Sequence, residues 1–229
     1  MTPVAASSES STLARAERDG TSLGTALSAY FAENGFGENG GYTDAWVDFH
    51  LGPIPFPFPN TASRKRAVRF HDLHHLVTGY RTDVPGECEI SAWEIGGGCR
   101  DFVAAWQLNL SGMGAGAFLW PRKTWEAFLR GRQSNNFYDR AYDDALLSLK
   151  VGDARRELGL DRPLRPATAT DVALYALASV AGLVSSIAFF VGCAPLAIVA
   201  WPVLQLLRRG HAKRPPLSPQ GVQDAGIGA

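Results

Sequence analysis

The sequence predicts an all-α protein, a helical domain followed by a C-terminal transmembrane helical hairpin. Nearly every periodic segment up to residue 161 repeats its apolar residues three and four apart, the spacing of a helix with one buried face. From Val172 to Leu207 the chain then runs 36 residues without a charge, well past the roughly 20 that cross a bilayer. One straight helix of that length would measure about 54 Å against a hydrocarbon core of about 30 Å. Gly192 and Pro195 near its middle therefore mark the turn between two short, tilted spans. Arg155, Arg156, Arg162 and Arg165 precede the run, and Arg208, Arg209, Lys213 and Arg214 follow it. The positive-inside rule puts both ends, and the helical domain with them, on the cytoplasmic face of the membrane. The predicted division is a disordered tail over 1–20, the helical domain over 21–161, a linker over 162–170, the hairpin over 171–208 and a disordered tail over 209–229.

The first 20 residues lack the apolar stretch of a signal peptide and carry acids that a transit peptide avoids. Leu23, Leu27, Tyr30 and Phe31 then share one helical face, with Gly35 as the C-cap. Residues 45–60 alternate aromatics with prolines and cannot form a regular helix; they run extended across the core or line an apolar opening. Asn60 or Thr61 can cap the next helix, whose early turns carry Arg64, Lys65, Arg66 and Arg69. Four cations there oppose the helix dipole, so this face is either simply solvated or meets an external anion such as a lipid headgroup.

Two apolar helices are expected over about 101–110 and 114–120. Glycines at 112, 114 and 116 each disfavour a helix by about 1 kcal/mol relative to Ala. They mark close helix packing by default, or the wall of a groove for a long apolar ligand. Pro121 opens an amphipathic helix with Trp125, Phe128 and Leu129 inward, and Phe137–Leu160 reads as one or two helices.

The chemistry concentrates in residues 69–94, RFHDLHHLVTGYRTDVPGECEISAWE. On a helix, His71 and His75 fall within about 40° of each other, with His74 on the same stripe and Asp72 at its margin. Gly79 stops this helix, and Pro85-Gly86 opens another whose first turn carries Glu87. Two imidazoles and a carboxylate form a metal-site layout with coordination positions left open. His71, Asp72, His75 and Glu87 are the candidate ligands, and Asp72 and Glu87 the candidate catalytic residues. Asp72 could be a fourth ligand, a partner that orients an imidazole, or a general base. Cys88 reads as a buried bystander thiol. A metalloprotease fits poorly, because Asp72 is shorter than the Glu of H-E-x-x-H and Glu87 lies twelve residues beyond His75 on a separate helix.

The pattern H-D-x-x-H, eleven residues, then E resembles the Coq-four family of ubiquinone biosynthesis, with Gly86 before the Glu and Glu94 seven residues after it. Thr78-Gly79, the Gly-rich run 111–118 and Arg155-Arg156-Glu157-Leu158-Gly159-Leu160 sit where that family has similar segments. The resemblance spans roughly residues 43–161 and rests mainly on the spaced motif. It implies a polyprenylated benzoquinone precursor as ligand and oxidative decarboxylation at ring carbon 1, the carboxylate giving way to a hydroxyl. The expected cofactor is a divalent metal, zinc first, with iron or manganese as alternatives. Expected partners are membrane lipids, other quinone-biosynthesis proteins and a second copy of the chain through the Gly-rich helices. His74 is additional to the motif, either a surplus ligand or solvent-facing. The hydrophobic C-terminal stretch is also an addition, a permanent anchor for a domain that otherwise sits on the membrane surface. A non-catalytic lipid-binding scaffold for quinone-pathway enzymes is the alternative reading, and a generic metal-dependent membrane hydrolase a third.

Bulk composition narrows the field further. Lys+Arg and Asp+Glu balance at 22 each, which gives no overall attraction to nucleic acid. Three cysteines, odd in number and far apart, argue against a disulfide framework and for a reducing compartment.

Overall fold

The computed structural model describes residues 18–47, 50–51, 54–55 and 57–212. Regular structure is almost all helix: α1 (Leu23–Asn34), α2 (Ala62–Thr78), α3 (Val84–Gly97), α4 (Val103–Leu119), α5 (Pro121–Arg132), α6 (Asp144–Ser148), α7 (Val151–Leu158) and α8 (Ala169–Ala212). Strand among the described residues is confined to β1 (Trp46–Val47), β2 (His50–Leu51), β3 (Ile54–Pro55) and β4 (Phe58–Pro59), where β1 pairs with β4 and β2 with β3. The protein is all-α. Prolines at 53, 55, 57 and 59 each remove an N–H, which denies that segment a helix and keeps its ladders short. Two units can be distinguished, one of residues 1–45 and 59–190 that holds the helical domain, the other of 46–58 and 191–229.

The sequence signals hold closely for the first three helices. Ser22 caps α1, Gly35 ends it at φ 68°, and Leu23, Leu27, Tyr30 and Phe31 are all buried. Thr61 caps α2, accepting from the Arg64 N–H at 3.2 Å, and Gly79 closes it at φ 76°. Asp83 caps α3, accepting from the Gly86 N–H at 3.0 Å, with Pro85 in the first turn. Gly86 must stay bare, since a Cβ there would run into the Arg81 backbone.

Helix α3 is the central strut, packed against both α4 and α5. It meets α5 backbone to backbone: a Cβ on Gly131 would collide with the Trp93 carbonyl, and one on Gly96 with that of Phe128. Overpacking of this kind costs about 1–3 kcal/mol. Gly131→Ala should lower the thermal unfolding midpoint by several degrees, and an unchanged midpoint would contradict this crossing.

Where two apolar helices were expected after residue 100, α4 is one helix that continues through all three glycines. The reason is tertiary. Cβ atoms would strike Ser91 from Gly112, the Gly182 backbone from Gly114, and Cys88 and Thr124 from Gly116. Close packing thus offsets the poor helix propensity of Gly. Phe128 and Leu129 of α5 are buried as expected, while Trp125 is half-buried and stacks on Phe128 at 6.2 Å. The segment 137–160 breaks into a 3₁₀ turn at Phe137–Asp139 and the short helices α6 and α7.

The largest correction concerns the C-terminal region. The expected hairpin is instead the single helix α8, with Gly192 and Pro195 inside it. A lone proline removes one ladder hydrogen bond and bends a helix, whereas reversing the chain takes a loop of several residues. The neighbouring residues Phe190, Val191, Cys193 and Ala194 supply no polar turn chemistry. Within α8, Ala169–Ala188 is long and apolar enough to cross a membrane, with mean hydropathy 1.7. One side of this stretch rests on α4 at Gly114–Gly182, where Gln107 donates to the Ser185 hydroxyl at 2.8 Å. The expected C-terminal tail also starts later, because residues 209–212 are still helical; its remainder, and residues 1–17 of the N-terminal tail, lie outside the described residues. Residues 18–20, assigned to that tail, are helical.

Candidate metal centre

Helix α2 delivers His71, His74 and His75, and the first turn of α3 delivers Glu87. The Nε2 atoms of His71 and His75 stand 3.2 Å apart. Glu87 places one carboxylate oxygen 3.3 Å from the His71 Nε2 and the other 3.3 Å from the His75 Nε2. A tetrahedral metal with bonds of about 2.0–2.1 Å has ligand atoms about 3.3–3.4 Å apart, so these spacings match one face of such a centre.

Both imidazoles are held in the tautomer that ligation requires. The His71 Nδ1 donates to Glu94 Oε1 at 2.9 Å, and the His75 Nδ1 donates to the Tyr80 carbonyl at 2.9 Å. Each ring therefore turns an Nε2 lone pair toward the other. Two facing lone pairs at this distance repel unless a proton or a cation lies between them. The donor set of two imidazoles and a carboxylate suits a divalent metal. Tyr30 stacks on the His75 ring at 5.7 Å and fixes its plane. The His75 side chain is 1% exposed and that of Glu87 43%, so the group is open on the Glu87 side. This group can hold a metal ion.

Beneath the imidazoles lies a second carboxylate that the residue-by-residue reading left without a role. Glu94 is fully buried. It accepts from the Nδ1 atoms of His71 and His74 on Oε1, and from Tyr138 Oη at 2.5 Å and Asn109 Nδ2 on Oε2. Burial alone would raise its pKa, but His71 and His74 outweigh burial and hold it well below the usual carboxylate range. Four donors fill about the four lone-pair positions a carboxylate offers.

His74 is neither a surplus ligand nor solvent-facing. It has no exposed surface, donates from Nδ1 to Glu94 at 2.8 Å, and accepts the Phe137 N–H on Nε2 at 3.0 Å. Burial lowers its pKa despite Glu94, so it stays neutral. Asp72 is also apart from the converging ligand atoms, which among the described residues belong to His71, His75 and Glu87. Its carboxylate is buried and accepts from the Tyr42 hydroxyl at 2.6 Å. Burial raises its pKa against the pull of His71 and Tyr42. Of the three roles open to Asp72, the fourth-ligand role is the one this geometry does not supply. Cys88 is a buried thiol packed near Gly116, and burial pushes its pKa up to about 11.

The basic start of α2 is largely answered from within the molecule. Arg64 donates to Asn60 at 2.9 Å, Arg66 pairs with Asp101 at 2.7 Å, and Arg69 lies over the Tyr42 ring at 5.5 Å.

The pH dependence follows from the same groups. Burial opposes a charge on His71, but Glu94 and Glu87 prevail and hold its pKa well above 6.5. In the metal-free protein its stabilising contribution is complete below pH 6.5 and disappears as pH rises through that elevated pKa. Burial would raise the Glu87 pKa, yet the two histidines lower it, as they do for Glu94; both contributions are present above 4.5 and lost as pH falls through the lowered values. The share of stability that His71, Glu87 and Glu94 give the metal-free protein is therefore greatest between about pH 4.5 and 6.5, where neutral His74 and protonated Asp72 work against it, and the His71 share should be lost above that window. Metal-loaded protein should keep its stability there, because the cation replaces the His71 proton. Thermal unfolding against pH, with and without chelator, tests this; identical curves would contradict it.

Models of known protein families, curated proteins and solved structures were all compared with this chain, and none matches it.

Proposed function

We propose that this chain acts at a membrane in ubiquinone biosynthesis, where it binds a polyprenylated benzoquinone precursor and catalyses the metal-assisted oxidative decarboxylation of its ring. The observation that carries the reading is the three-residue centre at the motif spacing, His71 and His75 on one helix and Glu87 opening the next, accessible from the Glu87 side. A divalent metal bound there, zinc or alternatively iron or manganese, would supply Lewis acidity toward a ring carboxylate and phenolate. His71, His75 and Glu87 would hold it, with Glu94 and the Tyr80 carbonyl fixing the two imidazoles. Asp72, gripped by Tyr42 and raised in pKa by burial, is the candidate for holding or moving a proton beside them. The exchange balances with dioxygen as a two-electron oxidant: the ring carboxylic acid, water and dioxygen give the ring hydroxyl, carbon dioxide and hydrogen peroxide, the ring's two electrons passing to dioxygen and water supplying the hydroxyl oxygen. The domain sits on the cytoplasmic face, attached through α8. The glycines of α4 are occupied within the chain, so a homodimer would use another surface.

One observation favours the non-catalytic alternative. Glu94 ties the centre to Tyr138, Asn109 and His74 deep in the core, as a structural metal site would be tied. A scaffold for other quinone-pathway enzymes would need the centre for folding alone. The test is the quinone and precursor profile of a strain lacking this gene, complemented with wild type or Glu87→Ala and with protein level checked by blot. The enzymatic reading expects a carboxylated prenyl precursor to accumulate beside normally abundant Glu87→Ala protein and to vanish with wild type. An unchanged quinone pool in the deletion strain would overturn the pathway assignment.

A further inference from the structure

Away from the histidines, the end of α5, the end of α7 and the segment leading into α8 enclose a cavity of ≈ 400 Å³. Arg130, Arg162 and Arg165 line it, and among the described residues no acidic side chain does. The carboxylates closest in sequence are already engaged: Asp161 binds Arg155 at 2.9 Å, and Asp171 binds Arg132 at 3.1 Å. The cavity also has a defined framework. Gln133 accepts from the Arg165 N–H at 2.7 Å and donates to the Arg165 carbonyl at 3.0 Å, which fixes that residue's backbone to the end of α5. The Arg162 guanidinium rests against Gly159, the residue at φ 75° that closes α7. Arg130 is steadied over the Tyr80 ring at 5.6 Å and donates to the Thr78 carbonyl. The C-terminal dipoles of α5 and α7 bring only about half a negative charge each against three full positive ones. An excess of positive charge remains, displayed by planar groups that match an oxyanion in two-pronged fashion.

We propose that this cavity binds a phosphate oxyanion, and that the headgroup of an anionic phospholipid supplies it. Two features favour a lipid source. The stretch able to cross a membrane begins at Ala169, four residues after Arg165. Leu164, which also lines the cavity, is 49% exposed and offers an apolar rim to an acyl chain. Juxtamembrane arginines are attracted to anionic headgroups, with a contribution that two substitutions would reduce by roughly 30-fold in affinity. The site shares no residue with the metal centre, so it stands or falls independently of the proposed chemistry.

The test uses full-chain protein in a neutral maltoside detergent, titrated calorimetrically at constant ionic strength with short-chain phosphatidylglycerol, short-chain phosphatidylcholine and inorganic phosphate. Wild type is compared with Arg162→Gln/Arg165→Gln. Both arginines are exposed, so the variant should keep its unfolding midpoint, which is measured alongside. The expected result is phosphatidylglycerol binding at least about tenfold tighter than phosphatidylcholine, weakened roughly 30-fold in the double variant. Phosphatidylglycerol no tighter than inorganic phosphate, with both lost in the variant, would keep the oxyanion site and overturn its lipid source. If neither ligand binds wild type, or both bind the variant equally well, the arginines serve only the helix ends and the site is refuted.

Discussion

Replacing Glu94 by Gln is expected to lower the unfolding midpoint by roughly 6–20 °C and to weaken metal binding by 10–100-fold. The carboxylate has no exposed surface and receives donors from His71, His74, Tyr138 and Asn109. A glutamine keeps the shape but turns one acceptor into a donor, which then faces donors. It also removes the charge that orients His71 and compensates its proton or metal. Losing one partner of a buried ionic network costs about 3–5 kcal/mol. Tyr138→Phe removes a single donor and should cost about 1–3 kcal/mol, since the remaining donors still hold the carboxylate. Unfolding by calorimetry and metal content by mass spectrometry measure both quantities. A Glu94→Gln protein within about 2 °C of wild type would show that the network does not hold the fold.

Glu87→Ala should produce the opposite balance. Its side chain is 43% exposed in the first turn of α3, where its contribution to the helix dipole is about 0.3–1 kcal/mol. Metal-free stability should fall by less than in Glu94→Gln, because the partly exposed Glu87 loses only its contacts to His71 and His75 and leaves no buried charge unpaired. Metal affinity should fall by more than the 10–100-fold expected for an outer partner, because a ligand itself is removed. Titration of the metal-free variant with a competing chelator reads the affinity. If Glu87→Ala unfolds as badly as Glu94→Gln without metal, the two carboxylates act as one structural unit and the distinction between ligand and anchor fails.

What the sequence reveals and what it hides follow the range of the interactions. Local chemistry was legible: Thr61 and the glycines at 35 and 79 act within a turn of where they stand. The pairing of His71, His75 and Glu87 was legible too, since it needs only a helical period and the start of the next helix. Glu94 carried a usable signal, as seven residues bring it two helical turns along the face of Glu87. Its burial had none, because Asn109 and Tyr138 arrive from distant segments. His74 was misplaced for the same reason: Phe137, 63 residues away, occupies its second nitrogen. The glycines of α4 were read as marks of close helix packing, but their partners Ser91, Gly182, Cys88 and Thr124 come from other segments, so the single helix running through them was not foreseen. The hairpin failed on a weak inference, that Gly192 and Pro195 would reverse a helix they can only bend.

The most direct test of the account is the metal content of the full-length protein. Purified in detergent, stripped with chelator and titrated separately with zinc, ferrous iron and manganese, wild type should bind about one ion per chain. His71→Ala and His75→Ala should bind none at the same free metal. Failure of wild type to bind any of the three, or equal binding by the histidine variants, would contradict the assignment of His71, His75 and Glu87 as a metal centre.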